Sequence, residues 1–109
     1  GGEATAFTSA LTLLASSPRP TAVYATTDFA AIATIHAAHR LGLSVPEDVA
    51  VIGLGNTPAG ELTSPTLTTV GPLDFYSRLA DTVVALAMGE RTPGTLHEFP
   101  WALISRESA

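Results

Sequence analysis

The sequence predicts an α/β domain, a parallel sheet flanked by helices, and two observations carry that prediction. Two short apolar runs, Thr21–Ala25 and Val49–Gly53, pass directly into small or polar residues, Thr26-Thr27-Asp28 and Leu54-Gly55-Asn56. Between them lie a helical stretch and the turn Ser44-Val45-Pro46-Glu47-Asp48, which returns the chain for the second strand. Strand, helix and parallel strand form the repeating unit of such sheets, and ligands bind in the crevice at the carboxyl ends of the strands. Pro20–Val70 therefore reads as half of a small-molecule binding cleft.

Each element follows from its local pattern. Residues 3–16 place Ala4, Phe7, Leu11 and Leu14 three or four apart, the spacing of an amphipathic helix. Pro18 and Pro20 stop it, because proline lacks the amide donor and disfavours helix at the residue before it. Residues 21–25 are expected to form a strand buried on both faces. A second helix runs from 28 to about Leu41, started by a side-chain cap from Thr27 or Asp28 and closed by Gly42. The second strand spans Val49–Leu54, and residues 55–66 are irregular. Leu67–Val70 is a brief extended piece between Pro65 and Gly71-Pro72. Asp74–Met88 carries Phe75, Leu79, Val83 and Leu86 on one helical face and ends at Gly89. Leu96–Ile104 is a closing strand that Pro100 assigns to a sheet edge.

At 109 residues the chain forms at most one domain. With 46% hydrophobic and 14% charged residues it suits a sheet covered on both faces, a piece of something larger, or a self-associating unit. The formal charge is −5, and the five basic residues, all arginines, are scattered. Nucleic-acid affinity rests on clustered cations, so these residues do not bind DNA. The absence of cysteine excludes disulfides and thiolate sites, and no run suits a membrane span or signal segment. A soluble chain is expected.

Few residues suggest chemistry. Thr26, Thr27 and Asn56 are the best candidates to line the cleft. Asp28 sits where either an N-cap or a ligand contact is found, and the cap is the stronger reading. His36 and His39 share a helix face but lack the further ligands a structural zinc requires, so they read as solvent-facing or interface residues. Gly53-Leu54-Gly55 is a turn signal without the third glycine of a dinucleotide fingerprint. No serine occupies a nucleophile elbow, and His97 reads as a packing residue without a catalytic partner. Arg106 is either a cross-sheet ion pair or an exposed arginine. No catalytic residue, metal or cofactor is expected. Ile32, Ile35 and Ala38 give the second helix an apolar face that can pack on the sheet while another meets a partner.

Taken in order and spacing, Pro20–Asp28, Ala30-Ala31, Leu41–Gly53, Pro65–Val70 and Leu103–Ser108 resemble the carboxyl-terminal half of a LacI/GalR-family transcription regulator. The resemblance implies a lobe of the type I periplasmic-binding-protein-like fold, with residues 1–70 and about 99–109 in the second lobe. Residues 71–98 would be a crossover packing on a first lobe not on this chain, leaving Phe75, Leu79 and Val83 in need of another apolar partner. It further implies a cytoplasmic protein sensing a small effector, a sugar, nucleobase or related molecule, and reaching DNA only through a helix-turn-helix outside this chain. The implied effector contacts are Thr26, Thr27, Asp28, Gly55 and Asn56. The implied homodimer contact uses Ile32, Ile35, His36 and His39 with the loop around Leu62. A transporter's solute-binding protein and a truncated lobe without ligand binding are the alternatives. Thr27 stands where the family usually has asparagine, Gly55 where it has a sugar-gripping aspartate, and Gly71-Pro72 replaces a common glutamine. A buried hydroxyl left without its acceptor costs about 1–3 kcal/mol, so a hexose held in the standard way is not expected.

Overall fold

The computed structural model describes residues 2–73, 75–89 and 101–109. The elements are α1 (Gly2–Leu14), β1 (Ala22–Tyr24), α2 (Asp28–Arg40), β2 (Ala50–Leu54), a 3-10 turn (Pro58–Glu61), β3 (Thr68–Pro72), α3 (Phe75–Ala87) and β4 (Trp101–Ile104). The expected order is present. The part of the closing strand expected over residues 96–100 lies outside the described residues.

The four strands form one sheet in the order β1-β2-β3-β4. β1, β2 and β3 are parallel, with Val23 opposite Val51 and Gly53 opposite Thr69. β4 runs antiparallel to β3, pairing Leu103 with Val70 and Trp101 with Pro72. The sheet is therefore mixed: the parallel expectation holds for β1, β2 and β3, and β4 alone departs from it. β4 lies at an edge, as Pro100 implied.

The core sits on one face. Ala10 and Leu14 of α1 join Ala31, Ile35, Ala37 and Ala38 of α2 in a buried cluster with Val49, Val51 and Leu67. Alanines let α2 approach both α1 and β2 closely, which is how a chain poor in aromatics buries a core. Ile35 is 1% exposed, so this residue is core and not a contact for a partner. Strand alternation turns Val51 and Gly53 toward α2 and Ile52 and Leu54 to the other face. Cross-strand register adds Tyr24, Val70, Trp101 and Leu103 to that second face, where Tyr24, Trp101 and Leu103 are exposed. Burial of β1 on both faces is thus corrected too: it is an edge strand with one covered side.

Local signals behave as their chemistry requires. Thr27, not Asp28, caps α2: its extended backbone (φ −143°, ψ 155°) lets its hydroxyl accept from the Ala30 amide at 3.0 Å. At the other end Gly42, with φ 76°, donates to His39 O while Leu43 donates to Ala38 O, a Schellman closure. The turn before β2 is held by Asp48, whose carboxylate accepts from the Ser44 amide at 2.7 Å. Val83, Val84, Leu86 and Met88 on and after α3 are exposed. The apolar partner expected for Val83 is therefore not supplied by the described residues of this chain.

Candidate functional site

The carboxyl ends of β1, β2 and β3 lie side by side, because parallel register aligns Tyr24 with Ile52 and Leu54 with Val70. Three junctions follow there: Ala25–Thr27, Gly55–Thr57 and the segment from Gly71. Thr26 and Thr27 are exposed, and Gly55, Asn56 and Thr57 are partly exposed. All of these except Thr57 are residues the sequence placed at the cleft, and the fold brings them to one edge of the sheet.

Asp28 is different. It is 1% exposed, and both carboxylate oxygens are engaged. Oδ2 accepts from the Thr57 amide at 2.6 Å and the Thr57 hydroxyl at 3.1 Å. Oδ1 accepts from the Thr69 hydroxyl at 2.5 Å. Its place in the first turn of α2 adds the favourable end of the helix dipole. Asp28 ties three elements together beneath the edge, and the cap it was expected to provide is made by its neighbour. Gly53 accompanies this arrangement, since a Cβ there would collide with Asp28 Oδ1 and stand 3.0 Å from Leu67 Cδ2.

The loop after β2 is equally constrained. Gly55 (φ 125°) and Asn56 (φ 53°) both adopt left-handed backbone, which glycine takes freely and asparagine tolerates best among side-chain-bearing residues. The Gly55 amide donates to Val70 O at 2.8 Å and the Asn56 amide to Thr69 Oγ1 at 3.2 Å. Asn56 Nδ2 donates to Pro72 O at 2.8 Å, while its Oδ1 accepts from Arg106 Nη2 at 3.0 Å. Gly71 permits this close approach, because a Cβ there would lie 2.7 Å from Gly55 C and 2.9 Å from Asn56 Cβ.

Arg106 is 15% exposed and reaches Leu67 O at 2.9 Å as well as Glu61 Oε1 at 3.4 Å. The ion pair expected of it is present, made with Glu61 of the 3-10 turn rather than across the sheet, and the guanidinium braces the β2 loop, that turn and the start of β3. Next to it, Ser108 is fully buried, accepting from the Thr68 amide at 2.8 Å and donating to Val51 O at 2.6 Å. Glu107 accepts from the Thr66 amide and hydroxyl, and those bonds hold its carboxyl below the ordinary value of 4.5. Sequence reasoning missed the roles of Thr57, Thr69, Gly71 and Ser108. The only trace of them in the sequence was the threonine pair and the run before the final serine.

The remaining candidates lie elsewhere. His36 and His39 are exposed on α2 away from this edge, and His36 lines a groove of about 290 Å³ with Ala4, Phe7 and Ala33. Ile32 is partly buried and Leu62 is 87% exposed. His97 lies outside the described residues. No cluster of three or more metal-ligating side chains occurs among the described residues, and no described helix is long and apolar enough to cross a membrane. The edge presents hydroxyl, amide and backbone groups, suited to hydrogen bonding with an uncharged polar molecule.

Comparison with known proteins agrees with this fold. The periplasmic binding protein-like domain family matches residues 1–109. The HTH-type transcriptional repressor PurR of Yersinia enterocolitica is 36% identical over 101 residues, covering 88% of this chain and 29% of that protein. A LacI family regulator from Lactobacillus casei with bound sucrose superposes with a TM-score of 0.75 at 25% identity, over 98% of this chain and 40% of the other. A LacI family regulator from Arthrobacter in complex with lactose gives a TM-score of 0.71 at 32% identity, over 94% and 40% of the two chains. The chain thus spans less than a third of the length of the curated relatives it matches.

Proposed function

Because the chain belongs to the periplasmic binding protein-like domain family, as effector-binding domain sequence of LacI/GalR type, we propose that its strand-end edge senses a small uncharged polar effector. The observation that carries this reading is the edge itself, where the loop after β2 is hydrogen-bonded to β3 and, through Asp28, to the start of α2 beside the first junction. Pre-formed polar surfaces lose little entropy on binding, which favours ligand recognition. Thr26, Thr27 and Asn56 offer hydrogen bonds to the effector. Gly55 and Asp28 shape the loop from below.

A sugar is the effector class that the sucrose- and lactose-bound neighbours suggest. Thr27 and Gly55, standing in place of an amide and a carboxylate, favour a sugar or a nucleobase-like molecule held in another way. In this reading residues 1–72 and about 99–109 form one lobe of a two-lobed domain, because Gly71 and Pro72 pair with β4 in this sheet, and residues 73–98 rather than 71–98 cross to the other. The exposed apolar side chains of α3 support that crossover. Ile32, His36, His39 and Leu62 form a homodimer contact, with Ile35 withdrawn because it is core. The protein acts in the cytoplasm, without catalysis, by altering operator affinity through a separate DNA-binding domain.

Calorimetry and thermal-shift screening of the full-length protein against sucrose, lactose, guanine and simple polyols test this reading. A ligand at 100 times its dissociation constant stabilises the native state by about 2.7 kcal/mol. Failure of every probe to move the transition refutes an uncharged polar effector of these classes.

A further inference from the structure

We propose that Arg106 is the positioning residue of the cleft wall, holding the Asn56 side chain in register for the effector and coupling it to the 3-10 turn through Glu61; this rests on the cleft reading above. The argument begins with the amide of Asn56. Its oxygen and nitrogen differ only in what they bond, and both neighbours agree on the assignment. The nitrogen faces an acceptor, Pro72 O at 2.8 Å, and the oxygen faces a donor, Arg106 Nη2 at 3.0 Å. With the orientation set from both sides, the second Nδ2 hydrogen has no partner among the described residues and remains for a ligand.

The guanidinium is suited to this task in a way lysine is not. Its fork donates through Nη1 to Leu67 O and through Nη2 to both Asn56 Oδ1 and Glu61 Oε1. Leu67 is fully buried beside the core, so one arm anchors the guanidinium to a rigid point. The other arm is shared between a partly exposed loop side chain and a carboxylate that is 66% exposed. Moving the 3-10 turn changes the claim of Glu61 on Nη2, and with it the bond to Asn56. Gly60 lies against the same anchor, since a Cβ there would crowd Leu67 Cβ at 3.2 Å while only touching Nη1 at 3.5 Å.

The experiment is hydrogen exchange and NMR of the chain as wild type, Arg106→Lys, Glu61→Gln, Asn56→Gly and Asn56→Gly with Arg106→Lys. Arg106→Lys is expected to shift the Asn56 side-chain amide resonances and speed exchange of the Asn56 and Thr57 amides about tenfold, the effect of one lost charged hydrogen bond. Amides of α2 keep their protection. Glu61→Gln shifts the same resonances by less. Asn56→Gly tolerates the left-handed backbone and removes the partner, so adding Arg106→Lys then leaves exchange at Thr57 unchanged. Uniform acceleration across the chain, or an equal effect of Arg106→Lys with and without the Asn56 side chain, overturns the proposal. Calorimetry of the same variants in the full-length protein with lactose and sucrose separates the two readings. Should neither sugar bind wild type, the cleft reading loses those sugars, while exchange alone still decides the role of Arg106.

Discussion

Replacing Asp28 separates a latch from a ligand contact. In the folded chain its carboxylate accepts from the Thr57 amide, the Thr57 hydroxyl and the Thr69 hydroxyl. Asp28→Asn keeps the shape but puts a donor on one oxygen's place. That donor then faces either the Thr57 amide or the fully buried Thr69 hydroxyl, which already accepts from the Asn56 amide. One buried donor loses its acceptor, at about 1–3 kcal/mol. Asp28→Ala removes both acceptors and leaves a small cavity, for roughly 3–5 kcal/mol in all. Against a total of about 5–15 kcal/mol for a domain, that loss is a fifth of the total or more, and at the low end nearly all of it. Urea titration followed by circular dichroism measures both. Thr69→Val removes the matching donor, and the Asp28→Asn/Thr69→Val cycle should show coupling of about 1–2 kcal/mol. If Asp28→Asn shifts stability by less than about 0.5 kcal/mol yet abolishes effector binding, Asp28 is a ligand contact and the latch is wrong.

Other substitutions test other parts of the same edge. Gly71→Ala forces the Gly55–Asn56 loop away from β3, with an expected loss of about 1–3 kcal/mol in urea titration and faster exchange at the Gly55 amide. Ser108→Ala strips the Val51 carbonyl and Thr68 amide of their shared hydroxyl and should cost about 1–3 kcal/mol, whereas an effect within 0.5 kcal/mol would show the tail to be dispensable. Glu107 titrates below 4.5 in the folded chain because Thr66 bonds its ionised form, so its contribution is present above that pH and fades as pH falls through the lowered folded value. The urea midpoint should therefore drop on that acid limb in wild type, and the drop should be shallower in Glu107→Gln.

Much of the fold was legible because it is written in short-range chemistry. Gly42, Asp48 and the proline stops act on neighbours a few residues away, and they ended or turned the chain where expected. The exposure of β1 was not legible. Thr21–Ala25 has the apolar run of a central strand, but whether anything covers its far side depends on neighbours distant in sequence. The direction of β4 escaped for a related reason, since strand order carries no mark in its four residues. At the site, the strand-end positions were legible from the βαβ pattern, whereas the bonds among Asp28, Thr57 and Thr69 span 29 and 41 positions. A buried carboxylate served by two threonines looks, in sequence, like an ordinary cap.

The bonds of Ser108 bear on how the chain acquires its fold. They join it to Thr68 across 40 positions and to Val51 across 57. Such distant pairs form late, because the entropy of closing a long loop must be met before the contact rewards it. Helices α1 and α2 and the β1–β2 pair rest on nearer neighbours and can assemble first. The Ser108 bridge between Val51 and Thr68 therefore closes after the direct pairing of β2 with β3, as a final clasp on a ladder already formed at Ile52 and Gly53.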